Sequence, residues 1–154
     1  MIIYLATDHR GFQLKERIKE WLSEWGYKYE DLGAFEYNQE DDYPDFIRKA
    51  ARAVANDPEH SRGIILGGSG QGEAMMANRF KNVRASVYYG PSMSSGQAGE
   101  EIIKMSREHN DSNILSLGAS FLNEEEAKKA VKLWLDTKFT REERHLRRIA
   151  KLDL

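Results

Sequence analysis

The hydrophobic pattern changes period along the chain. Short apolar, β-branched runs alternate with longer stretches in which apolar residues recur every three or four positions. Ile2–Thr7, Tyr27–Leu32, Gly63–Leu66, Val83–Tyr89 and Ile114–Leu117 read as strands. Phe12, Leu14, Ile18, Trp21, Leu22 and Trp25 mark an amphipathic helix closed by Gly26. Pro44 opens a second helix near its first turn, carried on by Phe46, Ile47, Ala50, Ala51, Ala53 and Val54. Further helices are expected from about Gly72 to Phe80, ending near His109, over 124–136 and over 141–151. Strands separated by helices pair in parallel, with helices covering both faces of the sheet. The expected fold is therefore α/β: a three-layer α/β/α sandwich on a Rossmann-like five-stranded parallel sheet. One domain over residues 1–154 is expected, and Gly90–Gly99 reads as a loop.

Composition narrows the chemistry. The chain has 154 residues and no cysteine. Disulfides, thiolate zinc sites, thiol redox chemistry and a cysteine nucleophile are thereby excluded, and a reducing cytoplasm suits such a chain. The four histidines show no paired metal-ligand spacing, so no metal site is expected. His60 falls in the polar run 56–62 and is expected in solvent. The apolar start, Met1–Thr7, ends at Asp8-His9-Arg10, too short for a signal peptide, and no membrane span is expected. The net charge of −2 conceals +3 in residues 138–154 against −5 elsewhere. A basic end on an acidic body suits an anionic ligand or a complementary partner surface. Arg141, Arg144 and Arg148 step by three and four along the last helix and so share a face. Paired guanidiniums can clamp a phosphate. The alternatives are a solvated face or a nucleic-acid arm, and the absence of general basicity weighs against nucleic acid.

Ligands of open parallel sheets bind beyond the carboxyl ends of the strands. Three polar clusters are expected there: Asp8-His9, Gly67–Glu73, and His109-Asn110-Asp111 just before the last strand. In Gly67-Gly68-Ser69-Gly70-Gln71-Gly72-Glu73 the glycines let the backbone turn tightly and approach a ligand closely. The helix that follows aims free N–H groups at that space, a cradle for a phosphate or a developing oxyanion. No Lys-Ser/Thr pair follows, so this is no phosphate loop of nucleotide hydrolases. The glycine spacing also misses the dinucleotide fingerprint. A tight strand-to-helix connection is the competing reading. Glu73 stands where a carboxylate could abstract a proton beside a carbonyl, or merely favour the helix dipole. Asp8 could cap a helix, and His109 could end one.

Taken together, these motifs resemble a known family. Ala6-Thr7-Asp8-His9-Arg10-Gly11-Phe12, Asp42-Tyr43-Pro44, Gly68-Ser69-Gly70-Gln71-Gly72-Glu73, Ala77-Asn78, Arg107-Glu108-His109-Asn110-Asp111 and Arg144-His145-Leu146-Arg147-Arg148 occur in the order seen in type B ribose-5-phosphate isomerases. That family includes the galactose-6-phosphate isomerase subunits. The resemblance covers essentially the whole chain. It implies aldose–ketose isomerisation of a sugar phosphate without metal or organic cofactor. It also implies homodimers or tetramers with shared active sites, the C-terminal helix at about 140–151 contacting a partner subunit. Some members use a cysteine base at the position of Gly67; the others use a glutamate at the position of Glu73, and this chain resembles the second group.

By the same resemblance, Asp8 and His109 open the sugar ring, and Glu73 shuttles a proton between C1 and C2 through a cis-enediolate. Ser69 and the N–H groups of Gly70, Gln71, Gly72 and Glu73 hold the enediolate oxygens. Asn110 orients hydroxyls, while His9, Arg144 and Arg148 bind phosphate. Two departures stand out. The family commonly carries an arginine where this chain has Ser120, and the segment around Gly90–Gly99 is longer than expected. Ribose 5-phosphate is the expected substrate. The alternatives are another aldose phosphate, such as a hexose 6-phosphate, a non-catalytic sugar-phosphate-binding protein, or an interaction module using the last helix.

Overall fold

The computed structural model describes residues 1–90 and 96–152, and the side chains of 96–98 are not described. Strands β1 (Ile2–Thr7), β2 (Lys28–Asp31), β3 (Ser61–Gly67), β4 (Ala85–Tyr88) and β5 (Ile114–Gly118) form one parallel sheet in the order β2-β1-β3-β5-β4. Helices α1 (Phe12–Glu24), α2 (Tyr43–Asn56), α3 (Gln71–Ala77), α4 (Gly96–Glu108) and α5 (Glu124–Asp136) connect and flank them, and α6 (Glu143–Ile149) follows.

Alternation along the strands sorts side chains into two apolar layers. On one face Ile3, Leu5, Ile64 and Leu66 meet Ile18, Trp21 and Leu22 of α1, Ile103 of α4, and Val131 and Trp134 of α5. On the other, Ala6 and Ile65 meet Ile47, Ala50, Ala51 and Val54 of α2 and Ala77 of α3. This is the expected three-layer sandwich. No helix among the described residues is long and apolar enough to cross a membrane.

Several boundaries differ from the sequence reading. Residues Gly96–Gly99, expected in a loop, form the first turn of α4; the rest of that segment beyond Gly90 lies outside the described residues. Arg141 does not share a helical face with Arg144 and Arg148: it precedes α6 with φ of 56°, a backbone that no α-helix accommodates.

A buried charge ties α1 to β2. Lys15 is fully buried, and its ammonium bonds the carboxylate of Asp31, which Lys19 also reaches at 3.1 Å. Burial alone would raise Asp31, yet bonds from Lys15, the Gly33 N–H and Lys19 hold its carboxyl below the usual range. Removing one partner of a buried pair strands the other. Lys15→Ala should therefore destabilise the protein by about 3 kcal/mol in urea unfolding. A loss near zero would show that Lys19 satisfies Asp31 unaided.

Candidate active site

The sheet reverses direction of progress at β1 and β3: β2 lies on one side of β1, while β3 and everything later lie on the other. Such switch points open a crevice at the carboxyl ends of the two strands. Both edges of this crevice carry polar residues, Asp8-His9 after β1 and Gly67–Glu73 after β3.

The glycine turn is clamped from below by β5. Gly70 has φ of +76°, and a side chain there would meet the Leu117 carbonyl carbon at 3.0 Å. The Ser116 hydroxyl donates to the Gly70 carbonyl at 2.6 Å, and the Ala119 and Ser120 N–H groups donate to Gly67 and Gly68. A helix start leaves its first N–H groups without intrahelical acceptors. Here the Gln71 N–H donates to Ser69 Oγ at 3.3 Å, while Gly72 and Glu73 continue the first turn. Ser69, Gly70, Gln71 and Gly72 thus lie together at the start of α3.

Glu73 is the third residue of α3 and only 4% exposed. Its carboxylate lies against the Cα of Gly67: a Cβ added there would fall 1.8 Å from Oε1 and 2.7 Å from Oε2. Any side chain at 67 and this position of Glu73 exclude each other. Burial, partly offset by its own N–H, raises the Glu73 pKa, and the charge of Asp8 pushes the same way. Asp8, 7% exposed, is likewise raised by burial and by Asp41, against the Arg10 N–H, His9 and the Gly11 N–H, which lower it. Two carboxyl groups with elevated pKa values share one crevice, the condition under which a carboxylate becomes an effective base.

Asp8 does not cap α1 in the usual way; its Oδ1 accepts the Arg10 N–H at 2.9 Å, fixing the turn ahead of the helix. His9 is held by Asp41, whose Oδ1 takes both the ring Nδ1, at 2.6 Å, and the His9 backbone N–H, at 3.1 Å. With Nδ1 donating to a carboxylate, Nε2 is the nitrogen left for a ligand. Asp8, His9 and Asp41 bring three ligand-type atoms within 4.8 Å of one another, the one such set among the described residues. Within it, Asp41 Oδ1 bonds the His9 ring, while Asp41 Oδ2 is buried without a hydrogen-bond partner.

The remaining predicted residues lie elsewhere. His109 and Asn110 follow α4, which runs back from the carboxyl edge to the start of β5. There Asn113 joins the first turn of the sheet, its carbonyl accepting the Gly63 N–H at 2.8 Å. The expectation that His109-Asn110-Asp111 sits beyond the carboxyl ends is therefore corrected: a helix joining two parallel strands must return, so its C-terminus reaches the amino edge. His109 stacks on the buried His145 of α6, centroids 4.5 Å apart and planes 11° apart. Thr140 bonds the Glu108 carbonyl through both N–H and hydroxyl, holding α6 beside them. Arg144 and Arg148 are exposed on α6, Arg144 bonded to Glu142 at 2.7 Å. The seven residues of β3 separate the two groups, roughly 20 Å of strand. The predicted residues thus fall into two groups at opposite edges of the sheet.

Sequence reasoning missed Asp41, hidden in the acidic run before Tyr43-Pro44, and His145, quoted in a motif but given no role. Only the fold reveals their partners. A cleft of about 920 Å³ beside α5, lined by Trp25, Tyr88 and Ile103 among others, contains none of the predicted residues.

An open parallel sheet with a glycine turn and a buried carboxylate at its switch point defines an α/β protein whose polar residues gather where ligands of such sheets bind. The chain belongs to the Ribose/Galactose Isomerase family, whose model it matches over residues 3–152. It is 36% identical over 149 residues to ribose-5-phosphate isomerase B of Mycolicibacterium paratuberculosis, covering 97% of this chain and 87% of that one. The structure of ribose-5-phosphate isomerase B from Mycoplasma genitalium with bound ribulose 5-phosphate superposes with a TM-score of 0.89 at 33% identity, covering 98% of this chain and 93% of the other. The Clostridium thermocellum ribose-5-phosphate isomerase B gives 0.87 at 36% identity, covering 99% and 95%.

Proposed function

We propose that this chain interconverts ribose 5-phosphate and ribulose 5-phosphate, with Glu73 as the base. The observation that carries this reading is the Glu73 carboxylate, buried against Gly67 beneath the donor turn and beside Asp8. In the open-chain aldose, Glu73 removes the proton from C2. The electron pair moves toward the carbonyl oxygen, giving an enediolate whose oxygens face Ser69 and the first-turn N–H groups. The hydroxyl proton passes from O2 to O1, and delivery of the carbon-bound proton from Glu73 to C1 completes the ketose. Asp8 and His109 serve ring opening, His9, Arg144 and Arg148 receive the phosphate, and Asn110 orients hydroxyls. No step calls for a metal or an organic cofactor. An assay of aldose–ketose conversion over a panel of pentose and hexose phosphates tests the assignment. Ribose 5-phosphate is expected to give the highest kcat/KM, and preference for a hexose 6-phosphate would move the substrate class.

The two groups of residues support a homodimer in which His109, Asn110, Arg144 and Arg148 of a second copy complete each site, whether or not dimers pair further. Neither nucleic acid nor membrane enters this reading, and a cytoplasmic setting suits the cysteine-free chain. Mixing Glu73→Gln with the Arg144→Ala/Arg148→Ala double variant should restore activity, up to about a quarter of the wild-type rate after random exchange in a two-fold dimer. Demonstrated exchange without recovery would refute shared sites.

A further inference from the structure

We propose that Arg10 is a phosphate-binding residue of this protein, supplying beside the glycine turn the positive charge that Ser120 does not. The inference rests on the isomerase reading for the substrate, but its geometry is independent of it. A Cβ added at Gly68 would lie 3.6 Å from Ser120 Oγ, 3.7 Å from Arg10 Cγ and 4.0 Å from Arg10 Cβ. The two side chains therefore converge over the same point of the turn from different strands' ends, β1 and β5. A long side chain at either position would reach the same space.

Arg10 is set up to do so. Its backbone is fixed, because its N–H donates to Asp8 Oδ1 at 2.9 Å and Phe12 N–H closes the turn onto His9. Its side chain is exposed and makes no ion pair or hydrogen bond among the described residues. The neighbouring cation of this segment, Lys15, is buried against Asp31 and unavailable. Asp8, Asp41 and Glu73 make this half of the site acidic, so a phosphate dianion entering it needs a cation. A guanidinium on a fixed stem meets a phosphate with paired donors. Ser120, its N–H spent on the Gly68 carbonyl at 3.0 Å, offers only a hydroxyl.

The test compares wild type, Arg10→Ala and Arg10→Ala/Ser120→Arg. Two quantities are read: the Kd of inorganic phosphate by calorimetry, and KM and kcat for ribose 5-phosphate. Arg10→Ala removes only an exposed side chain and keeps the N–H that Asp8 uses. It should raise both Kd and KM by about 10–100-fold, the scale of one charge-assisted contact, with kcat little changed. The double variant should regain most of that loss. Unchanged phosphate affinity in Arg10→Ala would overturn the proposal, as would a fall in kcat alone or a double variant that binds phosphate no better than Arg10→Ala. Weakened phosphate binding in a protein whose wild type fails to convert ribose 5-phosphate would uphold the Arg10 site and refute the isomerase reading.

Discussion

Glu73→Gln should lower kcat for ribose 5-phosphate conversion by about 10²–10⁴-fold, the usual contribution of a positioned general base. Glutamine keeps the size and loses the basicity, so phosphate affinity should hold. The same group should set the pH profile. Burial, with Asp8 adding to it, raises the Glu73 pKa above its ordinary 4.5, and the base works only when ionised. The acid limb of kcat/KM should therefore lie above the normal carboxylate range and vanish from any residual activity of the variant. Stability should move the opposite way. A carboxyl whose folded pKa is raised contributes stability below its unfolded pKa, and this is lost as pH rises through the folded value. As pH rises the wild type must ionise a buried carboxylate, a cost that glutamine avoids. Glu73→Gln should melt higher than wild type at pH 7, with the difference closing toward pH 4. Equal melting temperatures throughout would mean the carboxylate is better solvated than its 4% exposure indicates.

Gly67→Ala should come close to Glu73→Gln in its effect, about 10²-fold in kcat, without any change to a titrating group. The added methyl would occupy the place of Glu73 Oε1, 1.8 Å away, and Glu73 is the flexible partner that yields. Displacing the carboxylate removes the base as surely as substituting it. The Gly67→Ala/Glu73→Gln double variant should then be no slower than the worse single variant, because both changes remove one function. Independent, multiplying losses would show that Gly67 acts separately from Glu73. The same steric exclusion holds for any side chain at 67, which would need the space that Glu73 fills here.

The layers were legible in the chain because each helix announces its buried stripe. Ile18, Trp21 and Leu22 of α1, and Ile47, Ala50, Ala51 and Val54 of α2, recur at helical spacing and prove fully or nearly buried. The glycine turn was legible because its left-handed residue and its contact with β5 leave no room for side chains. Glu73 could be singled out by position, but its contact with Gly67 could not. Pairings distant in sequence left no trace in local pattern: Lys15 with Asp31, His9 with Asp41, His109 with His145. Placing His109 at the carboxyl edge followed motif order and overlooked connectivity, since α4 must carry the chain back before β5 begins. The role of Asn110 came from resemblance alone, whereas Arg144 and Arg148 stood out by their four-residue step, which marks guanidiniums able to clamp a phosphate together.

The central step proposed for this protein is the movement of a proton by Glu73 between two carbons of ribose 5-phosphate. Proton NMR of ribose 5-phosphate in deuterated water, with wild type and Glu73→Gln side by side, tests this most directly. Wild type should produce ribulose 5-phosphate with solvent deuterium entering at the carbons that exchange the proton, and Glu73→Gln should show little of either while still binding phosphate. Conversion and deuterium entry at wild-type rates in Glu73→Gln would contradict it.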